Sequence, residues 1–313
     1  MIKLIDKINI QPKHTRLKGD EMNSKICQIA DSAGSLPKEI IEKYNIYEVP
    51  FYFKFQDTDY LRENIDYSTE DFYEHMKSEP DNVPQTAAPN INDWLEVFKK
   101  GYDEGHREFI VTTISSKLSS SYPNAVQAKN LFLEENKDAQ MKVINTLSCA
   151  CGQAAFEIEI AEMIKKGVNY DELVNDAINL IPKINTLFTV ESLKYMKAGG
   201  RIGGATEFLG KITNIKPISE FTEGEVKPIK ATLGRRKSLR KLVDIAVSRI
   251  ENFSKTVIVI ENAVCEEEAE YIHEFLNRKA DKILEVYHST LGITVGGHSG
   301  PGSIGIGFVK MDV

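Results

Sequence analysis

The sequence predicts an α/β protein in two parts: an open, mostly parallel sheet flanked by helices, then an α+β half. Three observations carry this reading. Up to about residue 170, short apolar runs alternate with segments of helical length, the pattern of parallel strands joined by crossover helices. Beyond that point the order becomes irregular, and glycine-rich stretches interrupt it. The chain has 313 residues, 42% apolar and 27% charged, enough to bury the cores of two domains of ordinary size.

Taken in order, residues 1–21 are polar and read as an extension, with Met22 as an alternative start. Residues 25–30 form a short apolar strand and 36–44 a helix. Residues 47–56, rich in aromatics, form a strand that turns back at the acidic Asp57-Thr58-Asp59 through Tyr60 as a hairpin. Helices follow over 69–76 and 91–101, a buried strand over 109–114, a helix over 124–135, a strand over 141–145 and a helix over 153–166. The second half holds a helix over 171–181, a strand over 186–190, strand-like runs over 215–218, 226–231 and 257–262, and helices over 238–252 and 266–277. Residues 282–289 and 304–309 close the pattern around a glycine-rich run. The expected division is 22–182 and 183–313.

Composition excludes several classes. A net charge of −7 disfavours nucleic acid or an anionic membrane as the main partner. No apolar run approaches the roughly 20 residues of a membrane helix. The N-terminus lacks the apolar core of a secretory signal, so a cytoplasmic protein is expected. The four cysteines, Cys27, Cys149, Cys151 and Cys265, lack disulfide or zinc spacing and read as reduced thiols.

Familiar motifs fail on context. Gly300, Gly302 and Gly305 fit the spacing of a dinucleotide fingerprint, but only eight residues follow and no helix can open there. Gly297-His298-Ser299-Gly300 begins like a nucleophile elbow, yet Pro301 occupies the required glycine position. The cluster Arg235, Arg236, Lys237, Arg240, Lys241 opens a helix and reads as a solvated face, or else as a docking surface for an acidic or phosphorylated partner.

Three turns carry more short polar residues than capping needs. In the first, Asp31, Ser32 or Ser35 is expected to cap the helix that follows. In the second, Asn90 is the expected N-cap, which leaves the Thr86 hydroxyl free. The third runs from Ser115 to Tyr122 and holds five serines where one would cap a helix. Hydroxyls at the carboxyl ends of parallel strands, beside the free amides of helix N-termini, suit a carboxylate or phosphate. Arg201, between two glycine pairs, offers a planar fork for the same groups, or is a surface arginine in a loop. His298 lies among small residues, Gly296 to Ser303, either in a turn facing water or where another molecule can approach closely.

These segments, in this order, resemble the DegV family of bacterial fatty-acid-binding proteins. Asp31-Ser32-x-x-x-Leu36-Pro37, Thr86-Ala87-Ala88-Pro89-Asn90 and Ile114 to Tyr122 are similar to its hydroxyl loops. Leu193 to Ile202, Ile215-Lys216-Pro217-Ile218 and His298-Ser299-Gly300-Pro301-Gly302 are similar to its later motifs, and the likeness covers about residues 24 to 310. The resemblance implies a two-domain fold with a ligand tunnel between the domains that holds a long-chain fatty acid. It also implies a partner, a separate ATP-dependent fatty acid kinase that makes acyl-phosphate, with no turnover by this chain alone and no cofactor or metal. By position, Thr86 and Ser119 would bind the carboxylate with His298 beside it, Ser120 would flank them, and Arg201 would lie at the tunnel mouth. Ala87 and Ser120 depart from the family's usual Ser and Gly, and Ala30 and Ala198 from its Thr and Lys. Readings from other classes are a phosphotransferase or acyl hydrolase using His298 as base, and a lipid sensor that binds no kinase.

Overall fold

The computed structural model describes residues 25–56, 58–208, 214–280 and 282–311. The expected extension over 1–21 and Met22 lie outside them. In chain order the elements are β1 (Ile26–Asp31), α1 (Lys38–Tyr44), β2 (Tyr47–Val49), β3 (Tyr52–Lys54), β4 (Leu61–Arg62), α2 (Thr69–Ser78), β5 (Gln85–Ala87), α3 (Ile91–Asp103), β6 (Glu108–Thr113) and α4 (Ser121–Glu135). There follow β7 (Gln140–Asn145), α5 (Ala150–Lys165), α6 (Tyr170–Leu180), β8 (Ile184–Thr189), α7 (Lys194–Ala198), β9 (Ile215–Thr222), β10 (Glu225–Leu233) and α8 (Arg235–Arg249). The last are β11 (Val257–Asn262), α9 (Glu266–Lys279), β12 (Glu285–Thr290), α10 (Ile293–Ser299) and β13 (Ile304–Val309).

The first sheet has order β2-β1-β6-β7 and is parallel throughout. The second has order β10-β9-β8-β13-β11-β12, antiparallel except for the β11–β12 pair. Period-two alternation assigns the strand faces. Along β1, Cys27 and Ile29 pack with Trp94 and Phe98 of α3 and with Ala125, Ala128 and Phe132 of α4. Ile26 and Ala30 face the other way, toward Ala154, Ala155 and Ile158 of α5. Val257 and Val259 of β11 join that same α5 core, whereas Ile258 and Ile260 pack under α8 and α9. The layers therefore run α3/α4, parallel sheet, α5/α6, mixed sheet, α8/α9, with α5 shared between the two sheets.

The expected strand over 47–56 is two strands in different sheets. Pro50 has no N–H for a ladder and separates them. β3 instead pairs antiparallel with β4, the expected hairpin, and with β5, building a small third sheet. Thr86 therefore stands on β5 of this small sheet, not at the end of a parallel strand.

Other local expectations also change. Asp31 caps no helix. Its buried carboxylate accepts hydrogen bonds from the Ile114 amide at 2.9 Å, the Ser121 hydroxyl at 2.6 Å and the Gln153 amide at 2.8 Å, tying β1 to the serine turn and to α5. Asn90 does cap α3, in a reciprocal box with Asp93. The glycine-rich run before His298 is helical: α10 places His298 in its last turn, and only Gly300 and Gly302 beyond it have positive φ, 83° and 79°.

Candidate functional site

A cavity of about 390 Å³ lies where β5, the serine turn after β6, the N-terminus of α5, α7, α10 and the Ser303–Gly305 stretch converge. Its volume falls in the range of small-molecule sites, roughly 300–1,000 Å³. Phe51, Ile114, Phe188, Met196, Phe221 and Leu291 give it an apolar lining. Thr86, Ser119, Ser120, Arg201 and His298 all line it, so residues from four separate stretches of chain are brought together.

The polar pole is built from the backbone outward. α10 runs into the first half of the molecule and is anchored there. Tyr73 donates its hydroxyl to the Leu291 carbonyl at 2.7 Å, and the Gly292 amide donates to the Ser35 hydroxyl at 2.9 Å. The Thr294 hydroxyl donates to Glu63 at 2.6 Å, and Ser32 donates to the same carboxyl at 3.0 Å. The glycines of α10 serve this packing: a Cβ on Gly296 would come within 2.0 Å of the Tyr73 hydroxyl, and one on Gly297 within 3.0 Å of Pro84. His298 then projects toward β5, where its Nε2 lies 2.8 Å from Thr86 Oγ1.

The other face of the imidazole meets the chain at Gly199, where a Cβ would stand 2.0 Å from Nδ1. Nδ1 has no hydrogen-bond partner among the described residues. Burial, with a smaller contribution from the Arg201 charge, pushes the imidazole down to about 4, so it is neutral near pH 7.

Arg201 is exposed at the rim. Its guanidinium donates to the Leu118 carbonyl through Nε at 3.2 Å and Nη2 at 3.1 Å, and to the Gly199 carbonyl at 2.7 Å. These bonds hold a positive charge at the mouth. The serine turn is positioned from both halves: Ser115 donates to the Gly224 carbonyl at the β9–β10 tip at 2.8 Å, and Lys117 pairs with Glu225 at 3.4 Å. Ser119 accepts from the Ser121 amide at 3.2 Å, which leaves its hydroxyl proton free for another acceptor. Ser120 is the residue before α4, and its side chain caps nothing.

Several lining groups were not singled out in the sequence. Glu261 lines the cavity from β11. Thr186 and Ser148 share a 2.6 Å hydrogen bond, with Thr186 on the cavity wall. Cys149 and Cys151, read from the sequence only as reduced thiols, also line it, and burial pushes both well above their ordinary range, which makes them inert wall. A carboxylate inside the apolar run Val257-Ile258-Val259-Ile260-Glu261 was the available signal for Glu261. Among the described residues, no group of three or more His, Cys, Asp or Glu side chains could hold a metal ion, and no helix is long and apolar enough to cross a membrane.

Comparison with known proteins matches this architecture. A DegV family model matches residues 25–311. A DegV domain-containing protein of Clostridium perfringens is 29% identical over 282 residues, covering 89% of this chain and 95% of the relative. One from Staphylococcus aureus is 25% identical over 285 residues, covering 91% and 97%. Among solved structures, a stearic-acid-binding protein from Eubacterium ventriosum is 26% identical, with a TM-score of 0.85 over 91% of this chain and 98% of its own. A fatty-acid-binding DegV family protein of Thermus thermophilus, 22% identical, shares the fold at a TM-score of 0.82 over 91% and 99%. The parallel sheet flanked by helices, the sheet-rich second half and the family match lead to one conclusion: this chain belongs to the DegV family.

Proposed function

We propose that the protein binds a long-chain fatty acid, with its carboxylate at the Thr86–His298 pair and its chain in the apolar cavity. The observation that carries this is the cavity itself: apolar walls, one hydroxyl–imidazole pair and a fixed guanidinium at the rim. The stearic-acid-binding relative has the same fold. A buried chain of sixteen or so carbons gains about 0.8 kcal/mol per CH₂, enough to exceed the ordering cost of binding.

The head-group chemistry follows from the neutral imidazole. With the proton on Nε2, His298 donates to Thr86 Oγ1, and the Thr86 hydroxyl proton is free for a carboxylate oxygen. Ser119 supplies a second hydroxyl, Ser120 flanks it, and Arg201 adds a positive field. A hydrolase reading fares worse, because no carboxylate orients Nδ1 and an imidazole at about 4 is a weak base near neutrality.

In the same reading the protein presents the carboxylate to a separate ATP-dependent fatty acid kinase in the cytoplasm, which forms the acyl-phosphate. Arg201 at the rim would meet that partner or the phosphorylated product. The proposed division into 22–182 and 183–313 puts Thr86 and His298 on opposite sides of the site.

Native mass spectrometry of protein purified from a bacterial host tests binding. The expected result is one long-chain fatty acid per chain, and a protein that is empty and takes up no added stearate overturns the reading. Adding a fatty acid kinase and ATP tests presentation: acyl-phosphate should form only with the loaded protein. Loaded protein that supports no phosphorylation would leave binding standing and remove the kinase.

A further inference from the structure

The cavity has a second polar feature, on its β11 wall, for which a plain acyl chain has no use. Glu261 is 1% exposed and lines the cavity, and neither carboxyl oxygen has a hydrogen-bond partner among the described residues. The sheet makes room for it. Glu261 pairs across the antiparallel ladder with Gly305, which brings no side chain, and Gly305 also lines the cavity. Ser299, beside His298, adds a buried hydroxyl on the cavity wall that has no partner among the described residues.

A buried carboxyl with no partner is costly, by about 1–3 kcal/mol for a neutral polar group and more for a charged one. Burial and the nearby Glu157 charge push Glu261 well above the ordinary carboxyl range, opposed by the Cys151 amide at the start of α5, which lies near the carboxyl but outside hydrogen-bonding geometry. The group is therefore a neutral acid that can both donate and accept. Two buried carboxyls outside the cavity contrast with it: Asp31 and Glu63 are each satisfied by hydroxyl and amide donors. A third, Glu157, accepts from Thr112 and Gln153 through one oxygen and leaves the other unpaired among the described residues.

We propose that Glu261 hydrogen-bonds a hydroxyl carried along the ligand's chain, so that the preferred ligand is a hydroxylated long-chain fatty acid. This rests on the fatty-acid reading above and narrows it. A hydroxyl matches the site because it accepts from the acid O–H and donates in return, whereas an unsubstituted chain leaves the carboxyl unpaired. Sites built around such a bond discriminate strongly against the ligand that lacks it.

The test is competition. Purified protein is exposed to an equimolar mixture of stearic acid and monohydroxystearic acids with the hydroxyl at successive positions, and the bound lipid is weighed by native mass spectrometry. At least one positional isomer should be enriched about tenfold or more over stearic acid. Glu261→Leu should lose that enrichment and still take stearic acid, while Glu261→Gln, whose amide also donates and accepts, should retain part of it. Equal uptake of stearic acid and every isomer by the parent protein overturns the proposal, as does an unchanged preference in Glu261→Leu. Uptake of neither class would instead remove the fatty-acid reading itself. The melting temperature of Glu261→Leu should equal or exceed the parent's. A collapse would assign the carboxyl to holding the fold and overturn the proposal as well.

Discussion

Gly199 shows how closely the imidazole is fitted. Its backbone is ordinary, with φ −79°, so alanine is tolerated locally, yet a methyl there would overlap His298 Nδ1. Gly199→Ala should leave the fold intact while displacing the ring from Thr86. The expected outcome is about a tenfold weaker affinity for long-chain fatty acid by calorimetry, similar to Thr86→Val, which deletes the hydroxyl directly. Wild-type affinity in both variants would remove the Thr86–His298 pair from the head-group site. Thr86 was legible in the sequence because Asn90 accounts for the cap and leaves a hydroxyl without structural work. Gly199 was not, since its neighbour lies 99 positions away and a glycine pair in a loop reads as flexibility. Asp31 misled for a related reason: a short acid after a strand looks like a cap until the fold supplies Ile114, Ser121 and Gln153 as donors.

Among the elements, α5 is the one both halves depend on. Its first turn sits directly on β13, where a Cβ on Gly307 would lie 2.0 Å from the Cys151 carbonyl carbon and one on Gly305 2.9 Å from the Cys151 sulfur. Backbone against backbone cannot yield by rotating a side chain. Gly307→Ala should therefore cost about 3 kcal/mol, at the upper end of ordinary overpacking, measured by urea unfolding. A loss under about 0.5 kcal/mol would show that α5 can lift off without penalty. Most elements were legible, since the strands of the parallel sheet and helices α3, α8 and α9 carry clear periodicity. α10 was not: Gly296 and Gly297 look like a turn, and only the approach of Tyr73 and Pro84 explains why a helix needs glycine there. Pro50 carried enough information to divide the strand over 47–56, because a proline inside a run breaks a ladder.

At the scale of the whole molecule, buried carboxyls set the response to pH. Burial raises Asp31 to about 6, and raises the partly buried Glu48 and Glu159 each to about 7. Their unfolded values lie near 4, so the folded protein holds these protons more tightly. The stability they contribute is complete below about pH 4 and is lost as pH rises through about 6 and 7. For Asp31 alone the shift corresponds to about 3 kcal/mol. His298 acts in the opposite sense: its contribution is present above 6.5 and fades as pH falls toward 4. The raised carboxyls outweigh the lowered imidazoles His298 and His288, so the melting temperature should be higher near pH 5.5 than near pH 8. A melting temperature that rises toward pH 8 would mean that these carboxyls are ionised in the folded protein. The fold class could be read from alternation and composition, but the layering could not, because which face of β11 meets α5 depends on pairing between distant strands.

The anchoring of α10 has a consequence in time. The Thr294 hydroxyl that completes the Glu63 site lies 231 residues further along the chain, and His298 lies 212 beyond Thr86. At the usual elongation rate of about 5–20 residues per second, Glu63 leaves the ribosome roughly 10–50 s before its partner. During that interval the nascent chain holds β1, β3 and β5 but lacks His298, the imidazole that pairs with Thr86. On the proposed function, lipid capture would thereby wait for a chain whose last elements have docked.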